Sequence, residues 1–368
     1  MRNKSYPAYT PPVSILIPCY NEEKRIEACI NSIKETAYPT YEIIVIDDGS
    51  TDNSLNIIKS LENVILITQK HGGKVAGLTK GMKKARYEIV ISLDADTTIS
   101  TDAIHKLVQP LQEDNVAATT GMCQVKNQKK ILSWFADVEY QYINQLRMSF
   151  SQLTGTSIWF FGFFAAYKKK QLKQIGGFSK QTITEDMDSC LSLNSLGYDV
   201  RSVNAYAQTV VPDTLTSLCK QRFRWWLGSI QNLVKHKNTF LQRGAITFLF
   251  VNQYWWSFFA FISLPLMTYQ YIYWFTLSDA FIYTLGWVSL LGPIRVFYMM
   301  PIWGFNIYGI FGVSTGIVNA FMQSISLKKI NLKIVIAIFF YFPYTILLNC
   351  ITMAAVLAYP FKKKAYFK

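Results

Sequence analysis

From Gly244 to Lys368 the only acidic side chain is Asp279, and this near-absence of negative charge constrains the fold more than any other feature of the chain. The basic residues of the same stretch are confined to Arg295, to Lys328, Lys329 and Lys333, and to a tail of Lys362, Lys363, Lys364 and Lys368. Apolar runs of about 20 residues separated by short charged connections are what bilayer-crossing helices require, because lipid offers backbone polar groups no partner outside the helix. Candidate spans fall at 247–276, 280–301, 304–326 and 334–359. The third carries Asn306, Ser314, Thr315, Asn319 and Gln323, and also fits an interfacial or re-entrant segment. Four spans place the lysine tail on the cytoplasmic side, as the positive-inside rule favours; three reverse that.

The preceding residues belong to a different solvent. Val13–Pro18, Glu42–Ile46, Asn63–Thr68 and Glu88–Leu93 read as short β-branched strands. Between them lie a helix after Glu23 with apolar positions at Ile26, Cys29, Ile30 and Ile33, a second on Leu55, Ile58 and Leu61, and a third over Lys74–Ala85. Such alternation predicts βαβ units and a largely parallel sheet. Beyond Val116–Gly121 the spacing predicts a long helix over Ile131–Phe150, a short one over Lys168–Ile175, one from Thr184 to Leu196 and an amphipathic one over Leu215–His236. The expected layout is an α/β domain at 1–214, an interfacial amphipathic helix at 215–244 and a transmembrane region at 245–368.

Charge and cysteines narrow the setting. A net charge of +14 suits anionic lipid or a phosphorylated substrate, whereas no zinc knuckle or basic repeat with interleaved aromatics accompanies it, so nucleic acid is not expected as a partner. The six cysteines follow no metal-ligand or disulfide framework, which fits a reducing compartment. The first twelve residues lack the apolar core of a secretory signal, and the α/β half is expected in the cytoplasm.

Four motifs and one lysine carry candidate chemistry. Asp47-Asp48-Gly49-Ser50 stands at a strand end, where a carboxylate can meet a nucleobase or ribose; the same letters also make an ordinary turn, with Thr51 or Asp52 capping the next helix. Asp94-Ala95-Asp96 ends another strand and offers hard oxygen ligands for Mg²⁺ or Mn²⁺, or is a surface turn. Lys74, opening a helix after His71-Gly72-Gly73, can receive a pyrophosphate or be a solvated lysine. Thr184-Glu185-Asp186, followed by Asp188, is either a helix N-terminus capped by Thr184 or the place of a general base. Finally, Gln221-Arg222-Phe223-Arg224-Trp225 sits where one solvent gives way to the other. Gln221 and Arg224 can hold phosphate oxygens and Trp225 can stack on a sugar, although a basic-aromatic cluster also anchors to lipid surfaces.

Together and in this order, the four motifs from Val13 to Trp225 resemble family 2 glycosyltransferases of the membrane-integrated polysaccharide-synthase type, such as cellulose, chitin, hyaluronan and poly-N-acetylglucosamine synthases. The resemblance implies a GT-A (Rossmann-like) domain, a nucleotide-diphosphate sugar donor, usually UDP-linked, and a divalent metal. It also implies inverting transfer to a growing glycan, carried out processively with translocation across the membrane. Residue by residue, it implies nucleoside contact for Asp48, donor binding for Lys74, Asp94, Asp96 and Glu185, metal ligation by Asp96 and Asp94, and the base role for Asp186. Gln221, Arg224 and Trp225 would cover the pyrophosphate and shape the acceptor site, near Phe161-Gly162-Phe163-Phe164. The chain departs from the family's hyaluronan and cellulose members in placing its enzyme half before every apolar span and in having a small membrane half. Two alternatives stand beside this reading: transfer of a single sugar to a lipid acceptor such as a polyprenyl phosphate or glycolipid, and a non-catalytic membrane scaffold with a degenerate transferase domain.

Overall fold

A computed structural model of the chain describes residues 9–154, 156–157, 160–242, 244–276, 332–339 and 341–362. The chain divides into two compact units, Met1–Phe248 with Ala355–Lys368, and Leu249–Ala354.

The first unit is built on strands β1 (Val13–Cys19), β2 (Tyr41–Asp47), β3 (Val64–Thr68), β4 (Ile89–Leu93), β5 (Thr98–Ile99), β6 (Val116–Val125), β7 (Phe164–Lys168) and β8 (Asp199–Thr209). Its helices are α1 (Ile26–Lys34), α2 (Ser54–Ser60), α3 (Lys74–Lys84), α4 (Ala103–Val108), α5 (Ile131–Thr154), α6 (Lys169–Gln174), α7 (Glu185–Ser195), α8 (Leu215–Lys235) and α9 (Lys237–Gln242). One sheet runs β3-β2-β1-β4-β7-β6-β8-β5. The first four strands are mutually parallel, β7 is antiparallel to both β4 and β6, β6 and β8 are parallel, and β5 is antiparallel to β8.

The apolar runs are continuous because both faces of the sheet are covered, and alternate residues serve opposite layers. Ile15, Ile17, Ile43, Val45 and Ile91 pack with Ile26, Ile30 and Ile33 of α1 and Ile104 and Leu107 of α4. Leu16, Ile44, Ile46 and Val90 face the other way, onto Leu78 and Met82 of α3, Leu172 of α6 and Leu193 of α7.

The βαβ expectation therefore holds for the first half of the sheet, whereas β5, β6, β7 and β8 lie outside the four strands that the sequence pattern predicts. The stretch around β7 looks apolar with an interrupting glycine, and only its pairing across β4 and β6 makes it a strand. That pairing matters for the site. The parallel strands point their carboxyl ends at one edge, and antiparallel β7 begins at that edge, with Phe164 opposite Leu93. The segment Phe161–Phe163 is thus delivered beside the residues that follow β4.

The second unit contributes most of α10 (Gly244–Thr276), all of α11 (Leu332–Phe339) and part of α12 (Tyr341–Lys362). Among the described residues, one window, Tyr344–Phe361, is long and apolar enough to cross a bilayer, with a mean hydropathy of 1.6. The apolar segment Ile246–Ile262 in α10 is shorter. Within this unit Ser257 donates to Asn349 Oδ1 at 2.9 Å, linking α10 and α12 by the kind of polar bond that joins helices in an apolar medium. The expected spans at 280–301 and 304–326 lie outside the described residues.

Candidate active site

At the end of β2 the Asp48 carboxylate is buried and turned toward its own chain. Oδ1 accepts from Gln69 Nε2 at 2.5 Å and from Gly72 N at 2.8 Å, and Oδ2 accepts from Gly73 N at 2.8 Å, with His71 Nδ1 3.0 Å away. Burial would raise its pKa, but these donors together hold it below the usual carboxylate range. Asp48 thereby shapes the loop that enters α3. Gly73, at φ 83°, is the turn residue, a conformation a side chain would strain. The Tyr20 and His71 rings stack beside it at 4.1 Å. The turn reading of Ser50–Asp52 holds: Ser50 Oγ accepts from Asn21 N at 3.1 Å, Asn21 Oδ1 accepts from Thr51 N at 2.7 Å, and Asp52 Oδ1 accepts from Ser54 N at 2.9 Å; the N-cap of α2, however, is Asn53 and not Thr51 or Asp52.

That loop aims Lys74 at two other motifs. Its ammonium lies 2.7 Å from Asp94 Oδ1 and 3.2 Å from Glu185 Oε1, so residues far apart in sequence share one charge cluster. Burial opposes the charged lysine, yet Asp94, Glu185 and Asp186 together raise its pKa. Desolvation, reinforced by Asp96, raises that of Asp94 against the pull of Lys74. Asp96 is placed differently. Its Oδ1 accepts from Thr97 Oγ1 at 3.1 Å and Thr209 Oγ1 at 3.3 Å, and among the described residues nothing donates to Oδ2. The described residues assemble no cluster of three or more His, Cys, Asp or Glu side chains for a metal. An ion at Asp96 would take its remaining ligands from water and from a substrate's phosphates, as Mg²⁺ and Mn²⁺ commonly do.

Asp186 stands in the first turn of α7. Its Oδ2 accepts from Gly162 N at 2.9 Å and its Oδ1 from Met187 N at 2.8 Å. Desolvation and the neighbouring Glu185 push its pKa up to about 6 despite Lys74 and the two N–H donors. Thr184 sits at the N-cap, but its hydroxyl does not cap the helix. It accepts instead from Asn232 Nδ2 of α8 at 2.9 Å. The third acid of that turn, Asp188, is buried against Lys235 at 2.7 Å and His236 at 2.6 Å and acts as a fastening.

The Gln221–Trp225 segment lies on α8, and its two arginines face opposite ways. Arg222 is buried, 2.7 Å from Glu139 Oε2, with its guanidinium over the Trp225 ring at 4.3 Å. Arg224 is exposed. Gln221 is half-buried, with an Oε1 that no described donor reaches. Trp225 joins Phe161 and Phe163 against Cys123, Val125, Ala136, Tyr140 and Val211. One turn on, a Cβ on Gly228 would fall 2.7 Å from Thr184, and Gln231 Oε1 accepts from Ile183 N at 2.9 Å. The helix carrying the pentad is thus strapped to the helix carrying Asp186.

The structure brings Lys74, Asp94, Glu185, Asp186 and Gly162 together, and places Trp225 with Phe161 and Phe163. Sequence reasoning passed over Gly162 as a partner of Asp186, Arg222 as the pentad's structural anchor, and Asn232. Arg222 carried one usable signal: three residues before Trp225 on an amphipathic helix, it shares that residue's face.

Residues 14–176 match the family model for Glycosyl transferase family 2. The chain is 32% identical over 229 residues to the poly-β-1,6-N-acetyl-D-glucosamine synthase of Staphylococcus epidermidis, covering 61% of this chain and 56% of that protein. The synthase of the same description from Staphylococcus aureus matches to the same extent. The chain thus spans little more than half the length of these relatives. In fold it is similar to a mannosyltransferase from Pyrobaculum calidifontis solved with GDP-Man and Mn²⁺, at a TM-score of 0.60 and 17% identity over 97% of this chain and 89% of that one. That likeness supports a GT-A-like, Rossmann-like α/β domain.

Proposed function

We propose, from the match of residues 14–176 to the Glycosyl transferase family 2 model, that this chain is a membrane-bound inverting glycosyltransferase that moves a sugar from a UDP-linked donor onto a growing glycan, processively. The observation that carries the reading is Asp186: a carboxylate with a pKa near 6, held by the Gly162 N–H beside the Lys74–Asp94–Glu185 cluster. A base poised just below neutral pH is suited to take a proton from an acceptor hydroxyl as the sugar moves.

The other residues follow from their surroundings. Lys74 and the N-terminus of α3 offer positive charge to the donor diphosphate, and Arg224, exposed on α8, closes over it. Asp48 holds the His71–Gly73 loop and, with the Tyr20–His71 stack, forms the nucleoside side. Trp225, Phe161 and Phe163 form an aromatic floor for the acceptor. Asp96, with its open oxygen, and Asp94 would hold Mg²⁺ or Mn²⁺, which when bound neutralises the departing diphosphate. In this reading α10 and α12 sit in the cell membrane with the α/β domain in the cytoplasm, and α8 lies at the lipid interface.

Asp96→Ala is expected to weaken metal-dependent nucleotide-sugar binding by about tenfold or more while leaving metal-free binding near wild type. Titration calorimetry with and without Mn²⁺ checks this, and equal affinities in both proteins would remove Asp96 from the metal site. For the reaction itself, the purified full chain in lipid is incubated with each nucleotide sugar, nucleoside diphosphate release is followed, and the product is sized. Long glycan is the expected product; mono-glycosylated lipid alone would replace the polymer reading with single-sugar transfer.

A further inference from the structure

Arg147 of α5 is fully buried, and among the described residues no carboxylate pairs with it. Its guanidinium donates to Gly121 O at 3.2 Å and to Thr120 Oγ1 at 3.0 Å, and lies 3.9 Å from the centroid of the Phe161 ring. Its Nε has no described partner. A cation taken from water without a counter-ion is costly, and burial pulls the Arg147 pKa down to about 9. An apolar side chain of similar length would fill this space without that cost, so what the guanidinium adds is its bonds.

Those bonds lead to one place. Thr120 Oγ1 donates to Phe161 O at 2.9 Å and accepts from Phe161 N at 3.2 Å, so both polar groups of Phe161 rest on the hydroxyl that Arg147 orients. The Phe161 ring lies on the guanidinium itself. The next N–H along the chain, that of Gly162, donates to Asp186 Oδ2, and Gly162 O accepts from Ser92 Oγ at 3.2 Å. No solvent path reaches Arg147, so it does not meet substrate.

We propose that Arg147 is a positioning residue for sugar transfer: acting through Thr120 and Phe161, it holds the Gly162 N–H against the Asp186 carboxylate and so sets where the base stands. The proposal rests on Asp186 being the base. An error of about an ångström in the position of a reacting group can cost about 100-fold in rate, so the effect belongs in kcat and not in donor affinity.

The test compares Arg147→Met, Arg147→Lys and Thr120→Val with wild type in the full chain in lipid. It reads kcat, donor KM, calorimetric affinity for the nucleotide sugar and the thermal midpoint. Arg147→Met is expected to lower kcat by about 30- to 100-fold with donor affinity within about twofold. Arg147→Lys should recover part of the loss. Thr120→Val, which removes the shared hydroxyl and keeps the shape, should lose about tenfold. Wild-type kcat in Arg147→Met or in Thr120→Val overturns the proposal, as does a loss that appears in donor affinity and leaves kcat intact. Should Arg147→Met fail to fold, Thr120→Val decides alone. Wild-type turnover and its loss in Asp186→Asn establish the underlying reading in the same assay, so inert Arg147 and Thr120 substitutions sink this inference only.

Discussion

Asp186→Asn is expected to lower kcat by about 10³-fold while leaving nucleotide-sugar affinity within about threefold. The amide keeps the size of the carboxylate, and its oxygen accepts from one of the two N–H groups, Gly162 or Met187, while its NH2 faces the other, so the side chain stays in place but can no longer take a proton. The pH profile supplies an independent check. Desolvation and Glu185 raise the Asp186 pKa to about 6, and a base works only when deprotonated, so kcat/KM should climb as pH rises through about 6 and level off above it. At pH 5 only about one-tenth of such a group is ionised, and a roughly tenfold drop follows; an aspartate near its ordinary pKa would keep almost full activity there. Initial rates between pH 4.5 and 8 measure this. A flat profile down to pH 5, or full turnover in Asp186→Asn, would exclude Asp186 as the base.

Gly162→Ala should be nearly as damaging, for a steric reason. A Cβ at this position would stand 2.6 Å from Asp186 Cβ and 3.0 Å from its Oδ2. The closer atom is the root of the side chain and cannot swing away as a flexible tip could, so α7 or the Phe161–Phe163 segment has to move. We expect about a 100-fold loss in kcat, with overpacking costing about 1–3 kcal/mol of stability. Donor affinity should fall less than kcat, because the added Cβ meets Asp186 and touches none of Lys74, Asp94 and Asp96. Paired measurements of kcat and thermal midpoint check this, and a Gly162→Ala protein with wild-type kcat would show that the contact with Asp186 is not needed.

How far the sequence could be read depended on the range of the forces involved. Strands β1 to β4 and helices α1 and α3 were legible because their apolar positions repeat at local periods and glycines mark the breaks. Strands β7 and β8 were not, since the residues of β7 become a strand only by pairing antiparallel to β4 and β6. The motif carboxylates were recognisable by type and by their place after strands. Their individual surroundings were hidden. Asp48 and Asp96 look alike as acids after apolar runs, yet both oxygens of Asp48 accept from the loop that enters α3 and the strand end before it, whereas no donor among the described residues reaches one oxygen of Asp96. Arg222 and Arg224 are two residues apart, and only the packing of α8 decides that the first is buried on Glu139 and the second faces water.

By itself the sequence determined the division into an α/β half and an apolar half, and the carboxylates after β2 and β4, since each follows from short-range periodicity and from the solvent a side chain tolerates. The tertiary structure decided which of those groups meet. Lys74 reaches Asp94 and Glu185, Gly162 reaches Asp186, and α8 grips Thr184 through Gly228 and Asn232, because β7 enters the sheet in reverse and α8 lies on α7. Contacts between residues so distant along the chain are set by how layers pack, and packing leaves no periodic trace in sequence.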